Sequence, residues 1–477
     1  MKRTTFATIL FILLLLGLGF SRTGVGLHYS WVLLVGIIFG LLFIITKNKI
    51  AILIGLVICC FLLGWLRGAD YFQKLSIYDD LAGEQITVEA TALQDAVYDD
   101  KGLLSFPVGS IFVSSPQRTE LVGELDIAGR GTPVVYKGDK LIITGKLYKK
   151  RGAQQGGISF ANLKVIEKSN SSIDKLRREF AAGMQNALPE PLASFGLGLL
   201  IGQRNTLSQE LTDLLIAVGL VHIIAVSGYN LTVIIHASEK AFSKRSRYQS
   251  LVFSLGLIVL FLLLTGNSPS IVRAGIVSTL SLLAWYFGRR FKPVLLICLV
   301  AGLTAYANPL YLWTNIGWYL SFLAFFGILV LAPLLHRRFV KKENQNKLVQ
   351  TVLLETFSAQ LLTLPLILYI FGRLSVVSIV ANALVVPLVP VAMLLSLFAG
   401  ISGMTGFIFG GIVALPAEVI LRYMLSISAV LSRVPGAYVK VSINLVQMLI
   451  LYVFIIGFVI ILQIKAKSEH DIIRLDK

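Results

Sequence analysis

The chain is 477 residues long, 56% hydrophobic and only 14% charged, with a net charge of +18 at pH 7. Soluble domains carry about 25% charged residues, so this composition excludes a large soluble enzyme, which would have to bury most of its length in a core. The basic excess is uneven: residues 69–168 hold 12 Lys and Arg against 13 Asp and Glu, leaving 31 against 12 elsewhere. That excess sits mostly in short loops between apolar runs, where the positive-inside rule expects it, and is first a topology signal and only weakly a nucleic-acid signal.

A spanning helix needs about 20 apolar residues to cross roughly 30 Å of hydrocarbon. Residues 1–68 supply three such runs, near 4–20, 31–46 and 50–66, with Lys2, Arg3, Lys47 and Lys49 marking the cytoplasmic side and the chain emerging outside at Arg67. The start looks like a signal peptide, but Gly17-Leu-Gly-Phe-Ser-Arg22 lacks an Ala-x-Ala cleavage pattern and two more apolar runs follow, so it reads as a retained span. Residues 69–168 change character. Alternation appears in Gln85-Ile-Thr-Val-Glu-Ala-Thr-Ala92, in Gly109-Ser-Ile-Phe-Val113 and in Asp139-Lys-Leu-Ile-Ile-Thr-Gly-Lys-Leu147, punctuated by Gly and Asp. Period-two strands with turn signals predict a small extracytoplasmic all-β domain, with about five or six strands. An OB-like barrel suits that count, and a sandwich fits nearly as well.

Residues 169–189 predict an interfacial amphipathic helix, capped at Ser171-Ser-Ile-Asp174 and ended by Leu188-Pro189. Residues 190–465 form a second membrane region and 466–477 a cytoplasmic tail. Basic clusters at Lys240–Arg247, Arg289–Lys292, Arg337–Lys342 and Lys465/Lys467 mark the inner side. Parity between those marks gives one crossing plus a re-entrant piece over 192–236, then pairs of crossings. The whole chain is thus predicted to be a polytopic α-helical membrane protein of about twelve spans.

Polar groups in hydrocarbon are costly and face a cavity, a partner or a pathway. The richest cluster is Gly202-Gln-Arg-Asn-Thr-Leu-Ser-Gln-Glu-Leu-Thr-Asp213, continuing into Gly219-Leu-Val-His-Ile-Ile-Ala-Val-Ser-Gly-Tyr-Asn230. Arg204, Ser227 and Asn230 stand out there, although Ser227-Gly228 also suits close helix packing by small residues. Arg273, at the start of a span, reads either as an arginine snorkelling to the outer interface or as an anchor for phosphate in a pore mouth. Glu355, Ser358, Gln360, Asn315, Trp318 and Asn382 also lie in apolar context, and Glu418 and Arg422, four apart, suit a pair on one helix face.

The sequence carries few signs of catalysis. The histidines 28, 222, 236, 336 and 470 have no ligand spacing, and no P-loop or Gly-x-Ser-x-Gly elbow occurs. Cys59, Cys60 and Cys298 lie inside apolar runs without a C-x-x-C, so neither a disulfide framework nor a thiolate metal site is expected. No cofactor or metal is expected.

Five segments in order resemble the competence domain of ComEC-type DNA-uptake channels. They are Gly198-Leu-Leu-Ile-Gly-Gln-Arg-Asn-Thr-Leu-Ser208 with Val218–Asn230, Ser268-Pro-Ser-Ile-Val-Arg-Ala274, Asn308-Pro-Leu310 continuing to Gly317-Trp-Tyr-Leu-Ser-Phe-Leu-Ala324, Ser358-Ala-Gln-Leu-Leu-Thr-Leu-Pro365, and Phe371-Gly-Arg-Leu-Ser-Val-Val-Ser-Ile-Val-Ala-Asn382. The resemblance implies an inner-membrane channel that passes one DNA strand into a bacterial cell during natural transformation, with an OB-fold outside. On it rest the expected path residues Arg204, Ser227, Asn230, Arg273, Glu355, Gln360 and Asn382. Glu355, a carboxylate beside a polyanion, would pair with Arg204 or Arg273. Aromatic platforms for single strands are available at Tyr98, Phe106, Phe112, Tyr136, Tyr148 and Phe160, with Tyr98, Tyr136 and Tyr148 the candidate contacts. Three departures accompany it. The chain ends at Lys477 without the family's His-x-His-x-Asp nuclease motif, the family's Ser-Gly-Leu-His reads Ser227-Gly-Tyr-Asn230, and its Gly-Asp-Arg reads Gly202-Gln-Arg204.

The expected partners are single-stranded DNA, the lipid bilayer, a cytoplasmic ATP-driven motor, a separate nuclease and a DNA-receptor protein outside. Two alternatives share the intramembrane charges: a secondary transporter or flippase for another anionic solute, and an integral-membrane enzyme using His222 or Glu355.

Overall fold

The computed structural model describes residues 3–475 other than 27, 48, 99–102, 116–117, 131–133, 151–153, 204–205, 225–230, 232–245, 266–268, 290–291, 340–346 and 407–409. The chain falls into two compact units, Met1–Leu176 with Cys298–Tyr319, and Arg177–Ile297 with Leu320–Lys477.

In the first unit the opening spans are the helices Arg3–Phe20, Tyr29–Thr46 and Lys49–Leu75. The first and third pack backbone to backbone because small residues line the seam: a Cβ on Gly17 would stand 2.0 Å from the Phe61 carbonyl oxygen, and one on Gly64 2.2 Å from that of Leu14. Such contacts replace the missing hydrophobic drive between helices in lipid. Tyr29–Thr46 has no buried residue, as suits a helix facing lipid. The third helix runs on past the expected exit at Arg67, because its polar end is satisfied by protein. The Arg67 guanidinium donates to the Tyr306 and Ala307 carbonyls at 3.2 and 3.3 Å, and Lys74 pairs with Asp70 at 3.0 Å. Asn315 and Trp318, singled out as polar residues in apolar context, serve structure. The Asn315 side chain accepts from the Trp318 amide at 2.8 Å, and the Trp318 indole donates to Thr304 at 3.0 Å.

The same unit holds the β domain. Its strands are β1 (Gln85–Ala92), β2 (Val97–Tyr98), β3 (Leu103–Ser115), β4 (Thr119–Leu121), β5 (Leu125–Arg130), β6 (Lys140–Lys149) and β7 (Gly156–Glu167). β1 pairs with β3, β3 with β5, β5 with β7, β7 with β6 and β6 with β1, so five strands close into a ring. Only β5–β7 is parallel. The short β2 and β4 hang on β3, which raises the strand number to seven, above the five or six expected. The alternation read in β1 is the inside–outside period of a strand: Ile86, Val88, Ala90 and Ala92 point into the core with Phe106, Ile127 and Ile143. Closure removes the exposed edges that invite aggregation.

The helix Ser172–Ala187, which enters the second unit at Arg177, buries Phe180, Gly183 and Met184. Gly183 meets the backbone of Gly400 and Met404, and a Cβ on Gly403 would stand 1.9 Å from the Gly183 carbonyl. Protein rather than a lipid interface therefore holds that face. Leu192–Ile201 is buried throughout and stops at Gly202, whose φ of 72° suits the left-handed cap. The polar cluster after it is not a plain break, because Ser208 caps a helix over Gln209–Ala217.

Among the described residues nine helices are long and apolar enough to cross a membrane, and Leu192–Ile201, Ser270–Tyr286 and Pro293–Ala307 are shorter apolar helices. The protein is a multi-pass, mainly helical membrane protein with one small β domain.

Candidate nucleic-acid interface

Arg273 lies in the first turns of Pro269–Tyr286. It is 2% exposed, the largest fully buried side chain among the described residues, and its guanidinium carbon stands 5.9 Å from the Phe322 ring centroid. The snorkelling alternative is thereby overturned: an arginine reaching for an interface exposes its head group, and this one is enclosed. A buried charge is held only where neighbours compensate its desolvation, and a cation over an aromatic face is one such contact.

Glu355 and Gln360 sit half-buried on Lys347–Phe371. The expected ion pair between Glu355 and Arg273 does not form: among the described residues Glu355 makes no salt bridge, while Arg273 is turned to Phe322. Between Glu355 and Gln360, Ser358 is a packing residue. Its hydroxyl donates to the Leu354 carbonyl at 2.6 Å, and Gly327, opening a π-helical turn, lets that backbone approach. The Glu418–Arg422 pair forms as the spacing indicated.

Asn382 is 1% exposed. Its amide nitrogen donates to the Ser378 carbonyl at 2.7 Å, and its oxygen has no partner among the described residues. The Ser375 hydroxyl shares that condition. Ser375 lies near the turn at Gly219, where a Cβ would come within 2.6 Å of Ser378 and 3.4 Å of Ser375. Buried polar atoms are nearly always satisfied, which makes these two atoms exceptions. His222 contacts the Gly219 carbonyl at 3.1 Å. Arg204, Ser227 and Asn230 lie outside the described residues.

On the β domain, Tyr148 is half-exposed on β6 with its ring over Gly157, where a Cβ would clash with the phenol at 2.4 Å. Tyr136 is half-buried, its amide tied to Asp139 at 2.9 Å. Tyr98 ends β2, and its side chain lies outside the described residues. Phe106 is core. Phe112 is exposed but pairs across strands with Glu89 and Glu120, whose charges would repel phosphate.

The residue that sequence reasoning underrated is Phe160. The register steps from Ala128↔Ser159 to Gly129↔Ala161, so Phe160 is the extra residue of a β-bulge. Its φ is 54° and it is 78% exposed. Bulges re-aim side chains, and a left-handed phenylalanine is an outlier that costs stability. It lines one shallow groove with Tyr148, Lys146, Lys149 and Ser159. Lys149 is bound to Asp79 and Lys150 to Asp126, whose hydrogen bond raises the Lys150 pKa. Lys146 makes no ion pair among the described residues and stays available beside the two rings.

The segment that holds Arg273, Glu355, Gln360 and Asn382 matches a known family: the model described as Competence protein aligns with residues 199–466. The chain belongs to the competence protein family. It is 25% identical over 245 residues to ComE operon protein 3 of Bacillus subtilis (strain 168), an alignment covering 51% of this chain and 30% of that relative. The chain therefore spans under a third of the curated relative it matches. No solved structure matches. The matched segment begins after the β domain, so the groove at Phe160 rests on its own geometry.

Proposed function

We infer that the chain forms the channel through which single-stranded DNA crosses the cytoplasmic membrane of a bacterium during natural transformation. The observation that carries this reading is that the family match over 199–466 coincides with the helices that bury Arg273 and Asn382. In this reading the nine long helices together with Ser270–Tyr286 and Pro293–Ala307 supply eleven of about twelve crossings, and the ten-residue Leu192–Ile201 is the re-entrant piece. The strand ring, with its one parallel pair between β5 and β7, is an OB-like barrel outside the membrane. Tyr148 and Phe160 stack bases while Lys146 holds phosphate. Along the membrane path, amides and hydroxyls stand in for water, and each contact is weak enough to release the strand, as conduction requires. The chain moves DNA and performs no catalysis. A cytoplasmic ATP-driven motor, a separate nuclease and an outer DNA receptor complete the process; no P-loop lies in these 477 residues.

The test is transformation of a deletion strain, scored beside its growth and restored by the gene in trans. Transformation lost with normal growth is expected. A growth defect with intact transformation would contradict the reading and favour a solute transporter.

A further inference from the structure

The two loops 372–377 and 433–444 break the charge rule that the rest of the membrane region obeys. Arg337 and Arg338 mark the inner side before the helix Lys347–Phe371, and Lys465 marks it after Leu445–Lys465. Four crossings separate those marks, so both loops lie outside. The pairing of β8 (Arg373–Ser375) with β9 (Tyr438–Lys440) agrees, since it requires both loops on one side. Outer loops are normally poor in Lys and Arg. These two carry Arg373, Arg433 and Lys440 and no acidic residue, while the sequence 405–409, on the inner side by the same parity, has no charge at all.

The cations are also placed against their own stability. Arg373 stands directly across the ladder from Lys440, and like charges in that position are destabilising. Both are exposed, as is Arg433, and none makes an ion pair among the described residues. The clasp is held regardless, by the amides of Val376 and Val441 to Ala437 and Gly372 at 2.8 and 3.1 Å. Two residues along β8 from Arg373, the Ser375 hydroxyl is buried without a partner among the described residues, and Asn382, one turn into the next helix beyond Ser378, buries a second such oxygen. A lipid head-group anchor has no use for polar atoms beneath it. An anion that must continue inward does.

We propose that the β8–β9 clasp is the outer receiving site of the channel, where Arg373, Arg433 and Lys440 bind successive phosphates of a single DNA strand beside Ser375 and Asn382. This rests on the single-strand channel reading above. The cations offset each other's repulsion only when phosphate lies between them, and Tyr438, exposed on β9, offers a ring to a base.

The experiment uses the full chain in phosphatidylcholine nanodiscs with a fluorescent oligothymidylate, titrated over a salt series. Wild type is expected to bind. The triple variant R373Q/R433Q/K440Q should bind more weakly and lose about 2 from the slope of log K against log salt, as three single-strand phosphate contacts require. R373K/R433K should keep that slope, and the inner-side R289Q/K292Q should match wild type. Where the triple variant does not accumulate, K440Q alone should lose about 0.7 from the slope. Wild type that binds while the glutamine variants keep its slope would overturn the clasp and leave the channel standing. Wild type that binds no oligonucleotide would remove the channel reading itself. Loss of thermal stabilisation by phosphatidylglycerol in the triple variant, with oligonucleotide binding unchanged, would make the clasp a lipid anchor and also overturn the proposal.

Discussion

The β domain and the membrane unit handle polar residues in opposite ways. In the barrel most apolar side chains are inside and most polar ones outside, and the largest departure among the described residues is the ring of Phe160, 78% exposed on a left-handed backbone. In the membrane unit the unusual residues are polar and turned inward, Arg273 and Asn382. Each region spends stability against its own solvent rule, and those departures are where function is to be sought. The contrast makes the two regions separable by mutation: barrel changes should alter capture of the strand, and membrane changes its passage.

The largest effect is expected at Arg273. Arg273→Ala should abolish transformation while protein in the membrane stays near normal. Arg273→Lys should be milder if only charge is needed and equally severe if planar, bidentate contact is needed. Immunoblots of membranes beside transformation counts check this, and a variant that fails to accumulate would make the residue part of the packing instead.

A second prediction separates strain from function. Phe160→Gly removes a left-handed conformation that costs roughly 1–2 kcal/mol and should raise the unfolding temperature of the β domain. It also removes a stacking ring worth about 1–3 kcal/mol per base, so oligonucleotide binding should weaken. Thermal unfolding and fluorescence anisotropy on the same preparation report both. A variant that is less stable and binds equally well would break the comparison on the barrel side.

How far the sequence carried differs between the regions for physical reasons. Spans, strands β1 and β6 and the Glu418–Arg422 pair were legible because each rests on local periodicity: charge-free runs, alternation and a spacing of four. The β7 strand opens on Gly156-Gly157 and carries a bulge, so its alternation is interrupted and Phe160 could not be placed outward by counting. Arg273 was visible as an anomaly, but its enclosure depends on Phe322, about fifty positions away in sequence. Asn315 and Ser358 were visible in the same manner and proved to be a helix cap and a packing contact, which shows that polarity in an apolar run identifies a cost and not its purpose.

The smallest expected effect concerns pH. Burial pushes the Glu124 carboxyl above the usual carboxylate range. The folded barrel then keeps a proton that the unfolded chain has lost, so stability falls as pH rises from the ordinary carboxylate value towards the raised one. Glu124→Gln should flatten that dependence and stabilise the domain at neutral pH, measured by thermal unfolding between pH 4 and 8, a window bracketing roughly the ordinary carboxylate value and neutrality.

Passage of a strand through this protein is read by separating DNA held outside the cell from DNA taken in. Labelled DNA is given to a deletion strain carrying either the wild-type gene or Arg273→Ala, and surface label is removed with nuclease before counting. A single-strand channel predicts equal label before nuclease treatment and protected label only with the wild-type gene. Protected label at the wild-type level in the deletion strain itself would contradict the account, since the strand would then cross without this protein.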